Sequence, residues 1–250
     1  MKFFVVTLFP EMFLGVLQSS ILGRAREEGV LRVELVDPRQ FSTDPHRTVD
    51  DYPYGGGPGM VMKPEPLYAA LDWVEAQAGR KPYVVLMTPQ GVKLDATLAR
   101  SLAAREDICL VAGHYEGFDE RVRAAVDMEL SIGDFVLTGG EIPAMAVIDA
   151  VSRFIPGVLG KDVSAESDSF SDGLLEGPQY TRPPVFRDMP VPDVLLQGDH
   201  AAVNRWRRKE ALRRTYRRRP DLLKAASLTF EDRRMLDEVV KEESATLVKE

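Results

Sequence analysis

At 250 residues, 44% of them hydrophobic, the chain is long enough to bury the core of one large domain, or of a domain with a smaller companion. Its single cysteine, Cys109, excludes an intrachain disulfide and points to a reducing, cytoplasmic setting, and no apolar stretch approaches the roughly 20 residues that cross a bilayer, so no membrane partner is expected. The net charge of −7 argues weakly against a polyanionic partner, but its distribution matters more: Arg205, Arg207, Arg208, Lys209, Arg213, Arg214, Arg217, Arg218 and Arg219 lie between His200 and Pro220 against Glu210 alone.

In chain order, Phe3 to Leu8 is an apolar, β-branched run that reads as a first strand. Pro10-Glu11 then starts a helix expected to run to about Arg26, with Gly29 as its stop. A signal peptide is not expected, because Pro10 and Glu11 break the leading apolar run so early. Leu31 to Val36 reads as a second strand. No G-x-G-x-x-G follows the first strand, which counts against a standard dinucleotide site. Asp37 to Pro66 has little periodicity and carries Asp50-Asp51 and the glycine run Gly55 to Gly59. It reads as a functional loop or a plain surface loop, and without a Lys-Ser/Thr ending it is not a triphosphate cradle.

Leu67 to Ala78 predicts a helix and Tyr83 to Met87 a buried strand, followed by Thr88-Pro89-Gln90-Gly91 as a strand-end loop. Asp95 caps a helix to about Ala104, and Ile108 to Ala112 is a buried strand ending in Gly113. Ile142, Met145, Ile148 and Val151 recur at helical spacing, leaving Arg153 at the helix end, with Pro156 and Gly157 as the stop. Strands alternating with helices predict a mostly parallel sheet covered on both faces. Ligands of such sheets lie beyond the carboxyl ends of the strands, where the loops Thr88 to Gly91, Gly113 to Gly117 and Ser131 to Gly140 are expected.

Residues 161–176 are rich in Ser, Asp, Glu and Gly and read as an interdomain linker between a domain at 1–160 and another at 177–250. Pro178 to Pro192 is proline-rich and irregular. Asp199 to about Arg217 is helical, and Thr229 with Asp232 predicts a capped last helix to about Glu243. Basic residues lie nearly all round the first of these helices. It reads as a solvated helix, or as one that grips an RNA backbone with Trp206 and Tyr216 available for stacking.

Several words stand in order along nearly the whole chain: Asp50-Asp51-Tyr52-Pro53-Tyr54-Gly55-Gly56-Gly57-Pro58-Gly59-Met60, Gly113-His114-Tyr115-Glu116-Gly117, Ser131-Ile132-Gly133-Asp134, Gly139-Gly140-Glu141-Ile142-Pro143-Ala144, Ser152 to Gly160, and Tyr180-Thr181-Arg182-Pro183. In these the chain resembles the bacterial tRNA (guanine-N1)-methyltransferase family TrmD, of the SPOUT class. The resemblance implies a parallel-sheet α/β fold with a trefoil knot between about Leu86 and Ala144, a small all-α tRNA-binding domain at the C-terminus, and a homodimer whose active sites are shared between subunits. It implies S-adenosylmethionine as methyl donor, held largely by main-chain groups of Pro89, Gln90, Gly91, Gly113, Tyr115, Glu116, Gly117, Ser131, Ile132, Gly133, Asp134, Phe135, Val136, Leu137, Gly139, Gly140 and Pro143. Glu116 meets the donor or helps to recognise guanine, and the sequence leaves both open. Mg2+ is implied by resemblance only.

The resemblance also carries two catalytic roles onto Asp168 and Arg153. The N1 of guanosine must lose a proton to become nucleophilic, which a carboxylate can accept. The charge that then grows on O6 suits a fixed guanidinium. The implied reaction is methylation of N1 of guanosine 37, beside the tRNA anticodon. Two alternatives stand beside it: a SPOUT enzyme acting on another RNA, and a non-catalytic RNA-binding protein.

Overall fold

The computed structural model describes residues 1–159 and 168–247; Gly160 and the first part of the expected linker, 161–167, lie outside the described residues. The chain divides into two compact units, Met1–Asp162 and Val163–Glu250. Among the described residues no helix is long and apolar enough to cross a membrane.

The first unit is built on a five-stranded parallel sheet of β1 (Lys2–Val6), β2 (Arg32–Val36), β5 (Tyr83–Lys93), β6 (Asp107–Ala112) and β7 (Met128–Ser131), in the order β2-β1-β6-β5-β7. Side chains alternate between faces along each strand, and here both faces are covered. Phe3, Val5, Val85, Ile108 and Leu110 pack on one side with the helices at Leu14–Leu17, Ser20–Glu27, Ala96–Ala103 and Glu141–Ser152. Phe4, Val6, Val84, Leu86, Cys109 and Val111 pack on the other with the helix Pro64–Ala78. Strands buried on both faces need continuous apolar runs, which is why these three were visible in the sequence. Burial in the second layer pushes the Cys109 thiol up to about 12.

Several expectations change in detail. The first helix is three pieces: a 3-10 turn at Pro10–Phe13, then Leu14–Leu17 and Ser20–Glu27. Ser19 is extended and Ser20 adopts positive φ, so the chain breaks at a serine pair that competes poorly for helix. The 37–66 segment is partly ordered into a short ribbon, β3 (Asp50–Asp51) with β4 (Val61–Met62), whose tip is the glycine run. Thr88 to Gly91 does not end a strand. β5 continues to Lys93, and Met87 and Val92 both face Leu130, so these four residues form an excursion within one strand. β7 itself, Met-Glu-Leu-Ser, alternates apolar and polar residues over only four positions, too short a run to stand out.

In the second unit a two-stranded ribbon, β8 (Val185–Phe186) with β9 (Met189–Pro190), stands in the proline-rich stretch, followed by helices at His200–Arg218, Pro220–Ala225 and Phe230–Leu247. Its small core is Leu174, Leu212 and Met235. The expected capping box forms: Thr229 N donates to Asp232 Oδ2 at 3.0 Å and Asp232 N to Thr229 Oγ1 at 3.1 Å. Asp232, its side chain 5% exposed, also receives both Nε (2.7 Å) and an Nη (3.0 Å) of Arg208.

The Arg208 guanidinium, helped by Thr229, holds the Asp232 carboxyl down to about 2 against the opposing effect of burial. A carboxyl depressed from 3.8 contributes stability that is complete above its unfolded value and is lost as pH falls toward 2. Asp232→Asn is therefore expected to cost about 2 kcal/mol at pH 7. Urea unfolding across pH tests this, with the deficit expected to vanish near pH 2.

Candidate functional site

Three segments, one an excursion within β5 and the others following β6 and β7, enclose a cavity of about 530 Å³, within the usual range for small-molecule sites. One wall is the β5 excursion, through Thr88, Pro89 and Gln90. A second is Gly113 to Phe118, which follows β6. The third runs from Ser131 to Gly140 and on to Pro143 in the first turn of the helix Glu141–Ser152.

Each wall is held by short, local bonds. Glu116 N donates to Met60 O (3.0 Å), Met62 N to Gly117 O (2.9 Å) and Asp119 N to Met62 O (2.9 Å), so the β3–β4 ribbon staples the second wall. That gives the glycine-rich 50–62 segment a structural role. Arg123 bonds to Glu129, to Glu120 (2.9 Å) and to Gln90 Oε1 (2.9 Å), anchoring the first wall, and its carboxylate partners raise its already high pKa further. The Ser131 hydroxyl donates to Gly133 O (2.9 Å) and accepts from Gly133 N (3.1 Å), closing the turn that starts the third. Finally Gly140 N donates to Gly113 O at 2.7 Å, joining the second and third walls.

This last contact requires glycine. A Cβ on Gly140 would sit 2.8 Å from Ala112 Cα and from Gly113 N, against backbone that cannot move aside. Gly91 is placed similarly, on the backbone of Glu129 and Leu130 in β7.

Most residues expected around the donor line the cavity: Pro89, Gln90, Gly113, Tyr115, Glu116, Gly117, Ser131, Ile132, Gly133, Phe135, Val136, Leu137, Gly139, Gly140 and Pro143. Gly91 does not; it is the crossing point behind the wall. Asp134 does not either, and forms an exposed ion pair with Lys93 at 2.6 Å. His114, Phe118, Glu120, Arg123 and Thr138 line it without having been singled out. His114 and Thr138 stood inside the matched glycine loops, whereas Arg123 offered no sequence signal. Arg153 caps the end of the helix Glu141–Ser152, half-buried, and does not line this cavity. Asp168 belongs to the second unit and is also half-buried; its carbonyl accepts from Ser171 N at 3.2 Å. Among the described residues no three His, Cys, Asp or Glu side chains converge as a metal site would require.

In the second unit the basic helix is sorted by its partner helix. Lys209 pairs with Glu238 and Glu242, Arg213 with Glu210, Glu242 and Glu243, and Arg217 with Glu243. Arg208 pairs with Asp172 and Asp232, and Arg219 with Asp221. Arg205, Arg207 and Arg218 are exposed and have no ion pair among the described residues, while Arg214 donates to the carbonyls of Glu176 and Gly177. Arg207, Arg214 and Arg218 follow one another at seven and four residues, which puts them on one stripe of the helix. A Tyr180–Trp206 ring pair, 6.3 Å between centroids, lies in the same unit.

A family model described as tRNA (Guanine-1)-methyltransferase TrmD matches residues 1–225. A tRNA (guanine-N(1)-)-methyltransferase of Dehalococcoides mccartyi is 55% identical over 246 residues, covering 98% of this chain and 99% of that protein. Proteins of the same name from Moorella thermoacetica (56%, covering 97% and 98%) and Caldanaerobacter subterraneus subsp. tengcongensis (58%, covering 95% and 98%) are similarly alike.

Gly140→Ala is expected to destabilise the fold by about 1–3 kcal/mol, the usual effect of forcing atoms into a filled space. Gly15→Ala, on a helix with nothing within 4 Å, is the control and should be neutral or mildly stabilising. Thermal unfolding of both variants separates a tight crossing from a general intolerance of alanine.

Proposed function

The chain belongs to the tRNA (guanine-1)-methyltransferase TrmD family and is a tRNA (guanine-N1)-methyltransferase, and we propose that the base it modifies is guanosine 37, next to the anticodon. The observation that carries this reading is the glycine-walled cavity formed by the β5 excursion and the segments following β6 and β7, in a chain matched to the family over most of its length.

The cavity fits S-adenosylmethionine in size and in chemistry. Glycine lets the main chain approach a ligand closely, so peptide groups of these loops would meet the adenine and ribose edges without long polar side chains. When bound, that group supplies an electrophilic methyl carbon. Two main-chain crossings, Gly91 on β7 and Gly140 on β6, support a trefoil knot between about Leu86 and Ala144. Residues 1–160 are the SPOUT catalytic domain and 177–250 the tRNA-binding domain, joined by 161–176, of which Asp172 and Leu174 pack into the second unit. The protein works as a homodimer, in which Arg153 and Asp168 of one subunit serve the donor cavity of the other. The buried, unreactive Cys109 thiol suits a reducing cytoplasm. Mg2+ is expected from the family resemblance alone.

In the reaction, the target base must be swung out of its stack before its edge can be reached. Asp168 takes the N1 proton as general base, and the N1 lone pair forms the new bond to the methyl carbon while the carbon–sulfur bond breaks and its electron pair stays on sulfur, which leaves as the neutral thioether. The Arg153 guanidinium stabilises the negative charge that develops on O6. The Arg207, Arg214 and Arg218 stripe holds the RNA backbone from the second unit, where lysine and arginine neighbours are already neutralised by glutamates.

A methyl-transfer assay on tRNA transcripts with and without guanosine 37, with the modified nucleoside identified, tests the assignment. It should yield 1-methylguanosine only from the first. Asp168→Ala should abolish transfer while leaving donor affinity nearly intact, and Arg153→Ala should cost turnover more than donor binding. Wild-type turnover by Asp168→Ala removes that carboxylate from the mechanism. Arg207→Ala/Arg218→Ala should weaken tRNA binding and reduce the salt slope by about 1.4–1.8, at roughly 0.7–0.9 per phosphate contact. Arg217→Ala, whose charge is paired with Glu243, should change that slope little.

A further inference from the structure

The cavity contains one imidazole, and none of the roles above uses it. His114 lines the cavity beside Gly113. Its ring lies 4.8 Å from the Phe9 ring and 5.3 Å from that of Tyr115, the latter edge-on. Its Nδ1 is buried and has no hydrogen-bond partner among the described residues. The group it faces is Glu141 Oε2, 3.7 Å away.

Glu141 is only 1% exposed, a carboxylate removed almost wholly from water. Such a group is costly unless its oxygens find donors. Oε1 accepts from Thr7 Oγ1 at 2.9 Å. Thr7 Oγ1 in turn accepts from Phe9 N at 3.0 Å, so the hydroxyl proton is aimed at the carboxylate. The first turn of the helix Glu141–Ser152 adds the favourable end of the helix dipole. Oε2 is left facing His114. Gly139 keeps the two together, since a Cβ there would fall on Glu141 Oε2 and lie 2.6 Å from His114 Nδ1.

A neutral imidazole carries its proton on one nitrogen or the other. With the proton on Nε2, the Nδ1 lone pair would face a carboxylate oxygen inside a low-dielectric layer, and both atoms would be unsatisfied. With the proton on Nδ1, a single N–H···O bond that closes the 3.7 Å gap by under an ångström would satisfy both. We propose that Glu141 is a positioning residue that holds His114 in its Nδ1-protonated form and thereby turns Nε2 toward the cavity as a hydrogen-bond acceptor for a hydroxyl or amino group of the bound methyl donor. The identity of that ligand rests on the donor-site reading above; the state of the imidazole does not.

The chain has three histidines, so nitrogen NMR of the full-length protein, with His114→Asn for assignment, resolves this ring. The neutral wild-type ring should carry its proton on Nδ1. Thr7→Val/Glu141→Met removes the carboxylate and its hydroxyl partner together, leaving no stranded donor behind. It should release the ring toward the Nε2-protonated form and weaken S-adenosylhomocysteine binding about tenfold, the loss of one oriented hydrogen bond. A wild-type ring protonated on Nε2 overturns the proposal. So does a double variant that melts earlier but keeps the wild-type tautomer and affinity, which is what a merely structural Glu141 would give. If the double variant does not fold, the wild-type spectrum decides alone. Failure of the wild-type protein to bind S-adenosylhomocysteine would instead sink the donor-site reading, while the ligand-free spectrum still decides the His114–Glu141 pair.

Discussion

At two places the main chain runs against itself with no side chain between: Gly91 lies on the backbone of Glu129 and Leu130, and Gly140 on that of Ala112 and Gly113. The cavity depends on these crossings. They draw together three segments that leave different strands, and they do so at distances that any larger residue would forbid. Walls made this way hold their backbone on a buried sheet, and lining side chains such as Arg123 are tied to it by hydrogen bonds. A ligand held by such walls meets donors and acceptors already in place, which is the physical content of preorganisation.

The remaining polar groups near the cavity brace that backbone. Arg123 ties the β5 excursion to the turn before β7, and the β3–β4 ribbon holds the loop after β6 by main-chain bonds alone. Glu141 does the same from below the third wall, through Thr7 and toward His114. The second unit follows a different principle. Its longest helix carries far more cationic charge than it shows, because the last helix supplies glutamates to one side of it. Exposed ion pairs of this kind add little stability each. Their consequence is directional: Lys209, Arg213 and Arg217 are paired on the side the last helix reaches, while among the described residues Arg207 and Arg218 on the stripe, and Arg205 off it, carry no ion pair. A chain of net charge −7 can in this way offer one surface to a polyanion.

Much of this was legible beforehand. β1, β5 and β6 announced themselves as apolar runs because both of their faces are buried. Asp95 and the Thr229–Asp232 box marked helix starts through bonds that span three residues. The continuous first helix that the sequence predicts is broken at Ser19 and Ser20, where the chain turns. The far half of β5 carries no local strand pattern, because it is a strand only through β7, which pairs with Val85 to Met87 as well as with Val92 and Lys93. Met87 and Val92 share Leu130 as a partner, a fact no local pattern carries.

The sequence by itself determined the elements, their caps and the loops in which a ligand would be sought, because periodicity, capping and glycine turns act over a few residues. Only the tertiary structure decided which of those loops share a cavity, which arginines keep a free charge and which imidazole faces a buried carboxylate. Thr7 and Glu141 stand 134 residues apart in the chain and 2.9 Å apart in space. Contacts of that kind are fixed by the order and crossing of strands, and no stretch of sequence contains them.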